Sequence, residues 1–193
     1  MLLYQNILLN RGQKYEIGRT DSSWLETTQS PEELAVESIR YIKDEIISAI
    51  KYIQIVERIN AKQTEKKDTR QHTETSNLPI TMLLEYSNKL LDLGNSFDVT
   101  QAMSLIQKIE TEAIPLIKSQ QSLAFGLALA LKDESNPSNK FEGLINSVNG
   151  KTKKSIDEGL YMTQIEGVLN RNVQNIEFYL SNLKKKIQEL EDK

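Results

Sequence analysis

Cysteine is missing from this chain and histidine occurs once. The first absence excludes disulfide frameworks, thiolate nucleophiles, sulfur-ligated zinc and a lipid anchor on an N-terminal cysteine. The second leaves His72, which sits in the most polar stretch of the sequence, without the convergent partners that a metal site or an acid-base centre needs. Charge of one sign is not in excess either. Lys and Arg number 24 against 27 Asp and Glu, a formal charge of -3, so no global positive field draws nucleic acid, and none is expected as a partner. The glycines Gly126, Gly143, Gly159 and Gly167 are scattered singly, so no phosphate-cradling loop, dinucleotide fingerprint or nucleophile elbow is present. No cofactor, no metal and no enzymatic activity are expected.

Long hydrophobic runs are also lacking. The densest, Ser122 to Leu131 (SLAFGLALAL), covers about 15 Å as helix, half of a bilayer's roughly 30 Å hydrocarbon core. Met1 to Leu9 is apolar but has neither a basic leader nor a small-residue cleavage site, so it does not read as a signal peptide. No Asn-x-Ser/Thr acceptor with a permitted middle residue occurs. The expectation is an intracellular protein, cytoplasmic or nuclear. No segment alternates with period two between turns, so β structure is expected to be minimal.

What the chain does have is helical periodicity. Leu169, Val173, Ile176, Leu180, Leu183, Ile187 and Leu190 alternate four and three residues apart, the heptad spacing that keeps a narrow apolar stripe facing one partner helix. Upstream, Ser30-Pro31-Glu32-Glu33 reads as a capping box with proline at the first helical position, opening a helix to about Lys66. A second helix runs from near Pro79 to Gly94. A third is capped by Asp98 and Gln101 and continues to about Leu131, with a kink at Pro115 because proline lacks a backbone donor and crowds the preceding turn. Phe141 to Val148 reads as one or two further turns, and a capping box at Ser155 and Glu158 is expected to open the last helix, 156 to about 191. Residues 1–29 are expected to form a short helix and an irregular arm, and residues 30–193 one domain, with a polar linker at 62–77 and a loop at 133–140.

The first and last helices have matched lengths, and their apolar stripes change width in opposite order. The first is narrow up to Ile46 and then broad; the last is broad from Ile156 to Leu169 and then narrow. Broad faces ask for several neighbours and a narrow seam for one. The expected fold is therefore an all-α, elongated antiparallel bundle. Its head covers roughly residues 46–169, with SLAFGLALAL as the most buried piece, and its coiled-coil stalk is built from the start of the first helix and the end of the last. The competing arrangement pairs the C-terminal seam with another chain.

Several candidate sites are better explained by solvation. The carboxylate clusters Glu32/Glu33, Asp44/Glu45, Glu110/Glu112 and Glu189/Glu191/Asp192 lack the Glu-x-x-His spacing of bundle metal sites and read as solvated faces or caps. The basic runs Lys151, Lys153, Lys154 and Lys184 to Lys186 are interleaved with acids. Phe178 and Tyr179 are different: they flank the seam at positions normally polar, and Trp24 lies on the arm that the topology brings near them. The arm folding back over these aromatics is one reading, and a docking surface is the other. The functional expectation is a non-catalytic helical interaction subunit, an adaptor or structural component of a larger assembly. It would bind protein partners, or itself, through Trp24, Phe178, Tyr179 and the seam residues Leu169 to Leu190. A membrane-associated helical bundle is the alternative.

Overall fold

A computed structural model describes residues 29–67, 78–134 and 151–192, and every element it describes is helical. The first, α1 (Pro31–Lys67, 37 residues), spans about 55 Å. Its start is the reciprocal capping box expected from the sequence: the Ser30 backbone N–H donates to Glu33 Oε2 at 2.8 Å, and the Glu33 N–H donates to Ser30 Oγ at 3.1 Å. Next come α2 (Leu78–Asn95) and α3 (Val99–Lys108), the latter capped by Asp98, whose carboxylate accepts from the Gln101 N–H at 2.8 Å.

A π-helical turn, Ile109–Ala113, joins α3 to α4 (Ile114–Glu134), making one continuous rod. The turn lies immediately before Pro115. Proline cannot donate to the carbonyl four residues back, and its ring crowds that carbonyl. Widening the preceding turn, so that the Ile114 N–H reaches back to Ile109 O, relieves the clash without breaking the rod. The last helix, α5 (Lys151–Glu191, 41 residues), opens ahead of the expected capping box. Ser155 is therefore internal to the helix rather than its cap, because the lysine-rich segment before it is itself helix-compatible.

Side-chain contacts set the directions. Tyr41 stacks on Tyr179, and Glu45 accepts from Asn172 and Asn175, so α1 and α5 run antiparallel. Gln121 bonds Glu166, Lys118 pairs with Glu177, and Glu110 pairs with Lys184, so the rod of α3 and α4 is antiparallel to α5 as well. A methyl added at Gly94 would lie 3.8 Å from Ile39 Cγ2, which places the end of α2 beside the start of α1. Two heptad seams run through the core, packed against buried residues of α2 and of the α3–α4 rod such as Leu83, Leu90, Ile109 and Ile117. On α1, Ala35, Ile39, Ile42, Ile46, Ala49, Ile53 and Val56 are at most 1% exposed; on α5, Leu169, Val173, Ile176, Leu180, Leu183 and Ile187 are at most 2% exposed.

The antiparallel all-α bundle is as expected, but the head and the stalk are not. Gly94 sits beside Ile39 and Glu110 beside Lys184, so four rods meet where a two-helix stalk was expected. Because α2 is only about 27 Å long, it ends its run along α1 near Val56 and leaves three rods at the expected head. Stripe width misled because the helices of a four-helix bundle contribute the same a- and d-type positions as a coiled coil. The expected broad face on α5 is in part solvent-facing, with Leu160 61% exposed. SLAFGLALAL is also not the most buried piece. Ala124, Leu127, Ala128 and Leu131 are covered, whereas Phe125 and Leu129 face out, since no fourth rod closes that side.

Candidate functional site

Tyr41 precedes the seam residue Ile42 on α1, and Tyr179 precedes Leu180 on α5, so antiparallel pairing brings both rings to the rim of the α1–α5 groove. Their centroids are 4.8 Å apart with an interplanar angle of 17°, and Phe178 meets Tyr179 edge-on at 5.3 Å. Tyr179 is half-buried, while Tyr41 is 42% and Phe178 61% exposed. The Tyr41 hydroxyl donates to Glu37 Oε1 at 3.1 Å. That bond, with the negative charge of Glu37 behind it, raises the phenol above its ordinary value and keeps it a neutral donor.

One turn further along the groove lies a polar layer. The Glu45 carboxylate accepts from Asn172 Nδ2 at 2.5 Å and from Asn175 Nδ2 at 2.8 Å, and Asn172 is only 2% exposed. Glu45 falls in a carboxylate cluster that the sequence presents as a solvated face. The available signal was its place next to Ile46 on the seam, where a side chain points along the groove wall rather than away from it.

Heptad arithmetic extends the groove. Tyr52 lies seven residues beyond Glu45 and Ile55 fourteen beyond Tyr41; on α5, Val168 and Tyr161 lie seven and fourteen before Asn175. Tyr52, Ile55 and Val168 are half-buried and Tyr161 is 41% exposed. The groove thus has aromatic and aliphatic walls at both ends, with a carboxamide and carboxylate layer between. From Tyr41 to Ile55 it covers about 21 Å, four helical turns.

The seam residues Leu169, Val173, Ile176, Leu180, Leu183 and Ile187 form the floor under this groove, and Leu190 is half-buried. Trp24 lies outside the described residues, as do the 1–28 arm, His72, the 68–77 part of the linker and the Phe141 to Val148 segment. On α2, the Tyr86 hydroxyl bonds Glu112, and burial together with that carboxylate pushes its phenol up to about 12. Lys184 is engaged by Glu110 and Lys186 by Glu189, so two members of the C-terminal basic run are paired within the chain. Among the described residues, no group of three His, Cys, Asp or Glu side chains converges as a metal site. The rod Val99–Lys132 is the one described helix long and apolar enough to cross a membrane by length and composition, with 33% of its apolar window buried inside the bundle. Compared with protein-family models, with curated proteins and with solved structures, the chain finds no match in any of the three.

Proposed function

We propose that this chain is a non-catalytic helical interaction subunit whose α1–α5 groove receives a helix of a protein partner or of a second copy. The observation that carries the reading is the Tyr41–Tyr179–Phe178 cluster, an aromatic surface left largely in water above a fully packed seam. Aromatic side chains on a rigid frame supply most of the energy at protein interfaces, and these three are held by two long helices rather than by a loop. The buried seam acts as the frame, and the residues beside it make the contact. Glu45, with Asn172 and Asn175, selects against a helix that is apolar along its whole face, since such a helix would strip water from this layer without replacing its hydrogen bonds. The occupant that fits is amphipathic, about four turns long, apolar at both ends and carrying a donor in between.

The test is a Tyr41→Ser/Phe178→Ser double variant with wild-type helicity by circular dichroism. Cross-linked partners captured from the native host with the wild-type chain are expected to be lost with the variant. If self-association is the use of the groove, the mass in solution falls to that of a monomer. Identical partners in identical yield, together with an unchanged mass, would show that the groove is not the contact.

A further inference from the structure

The α1–α5 groove calls for an occupant that is apolar at both ends and carries donors in between, because Glu45 stands between the Tyr41–Tyr179–Phe178 cluster and the half-buried Tyr52. Each Glu45 oxygen accepts one bond, from Asn172 and from Asn175. A carboxylate has about four acceptor sites, so this layer has capacity for a further donor arriving from outside.

One segment of the same chain has that order of side chains. Met1–Leu9 reads MLLYQNILL: seven of its nine residues are apolar, none is charged, and the two polar ones, Gln5 and Asn6, are adjacent at its middle. In helical register Leu2, Gln5, Asn6 and Leu9 share one face, apolar at each end with two carboxamides between. As helix the segment covers about 13 Å, against about 16 Å from Tyr41 to Tyr52 along α1.

Tether length favours the same site. Residues 10–29 join the segment to α1, which opens at Pro31, fourteen residues and about 21 Å before Glu45. Twenty residues of unconstrained chain have an r.m.s. span of about 25 Å. A tether whose span matches the distance to its site gives the highest effective concentration, on the order of mM. A separate helix meets the groove only at its own concentration.

We propose that Met1–Leu9 is the resting occupant of the α1–α5 groove of its own chain, with Gln5 and Asn6 opposite Glu45, and that a partner helix displaces it. The proposal rests on the reading of this groove as a helix-docking surface, and adds its regulation. Nine residues leave the Ile55 and Val168 end of the groove uncovered, so a partner helix of about four turns makes contacts that the segment does not.

Because the chain lacks cysteine, Asp44→Cys, an exposed position next to Glu45, takes a single nitroxide label. In the labelled full chain the amide NMR signals of residues 2–9 are expected to lose most of their intensity. They should regain it when the nitroxide is reduced, and in a Leu2→Ser/Leu9→Ser background. Isotope-labelled chain mixed with unlabelled, nitroxide-bearing chain is expected to show no loss. Partner capture by the Leu2→Ser/Leu9→Ser chain should rise several-fold over wild type. Full intensity at residues 2–9 overturns the proposal, while the docking reading then still stands or falls on the Tyr41→Ser/Phe178→Ser variant. Intensity lost only between chains overturns it as well, and assigns the groove to a second copy. Intensity lost within the chain but equal capture by the two chains overturns the displacement and makes the segment a fixed part of the bundle.

Discussion

Where α1 begins and α5 ends, four rods enclose two heptad seams under an acidic surface; where α1 ends and α5 begins, three rods leave Phe125, Leu129 and Leu160 largely in water. The two ends are made from the same helices, so the difference comes from what packs against them. α2 stops along α1 near Val56, short of the last third of that helix, and with it come Tyr86, Leu83, Leu90 and Leu93 as buried residues. Among the described residues, helix glycines are distributed unevenly as well: Gly126, Gly159 and Gly167 fall on α4 and on the first half of α5, whereas the four-rod end holds Gly94.

The largest expected effect comes from cutting the chain after Asn170. This removes Val173, Ile176, Leu180, Leu183 and Ile187 from the four-rod core. Each buried aliphatic side chain contributes about 1.5 to 3 kcal/mol, and their sum rivals the 5–15 kcal/mol by which domains of this size are stable. No cooperative thermal transition should remain by circular dichroism. A shortened chain that still melts cooperatively would mean that the three-rod end folds without its neighbour.

Single substitutions sharpen the contrast. Ile42→Ala, at a position with 0% exposure, is expected to cost about 2 to 5 kcal/mol in chemical denaturation. Leu129→Ala, 47% exposed at the other end, should stay within about 0.5 kcal/mol. Comparable losses at both sites would show that Leu129 is covered in solution. Amide exchange offers the same comparison without mutation, with residues 35–50 and 169–187 protected above residues 57–67 and 151–163.

Tyr86→Phe probes how α2 is held. Loss of the bond to Glu112 is expected to cost about 1 to 2 kcal/mol near neutral pH. The phenol is raised in the folded state from 10.0 to about 12, so its contribution is complete below pH 10.0 and is lost as pH climbs through about 12. The stability gap between wild type and variant should therefore close over that window, and a gap independent of pH would assign the effect to packing. The smallest changes are gains. Nothing lies within 4 Å of a methyl added at Gly126 or Gly167, so replacement of either by Ala should stabilise its helix by about 0.5 to 1 kcal/mol. A loss at Gly126 instead would indicate a neighbour pressed against α4 in solution.

Much of this architecture is legible from local chemistry. The Ser30–Glu33 box and the Asp98 cap depend on residues within a turn of one another, and both are found where the residues require them; at Pro115 a kink was expected and a π turn before it, within a continuous rod, is found instead. The pairing of α1 with α5 is legible too, since two seams of equal spacing and matched length have few other ways to be buried. The surface is less so. Phe178 and Tyr179 stand out because aromatics at heptad flanks are unusual, but their partner Tyr41 lies far away in sequence, and nothing near it marks the stack. Glu45 and Glu112 look like ordinary helix-surface carboxylates until packing brings Asn172, 127 residues away, to the first and Tyr86, 26 residues away, to the second.

Helix positions, caps and the two buried stripes follow from interactions a few residues long, and for those the order of amino acids is sufficient. How many rods stand at each end, which apolar residues are left in water and which carboxylates gain partners depend on where the short helix α2 stops along α1. That is a property of packing in space: a stripe of given width is satisfied equally by one neighbour or by two, and only the assembled bundle distinguishes them.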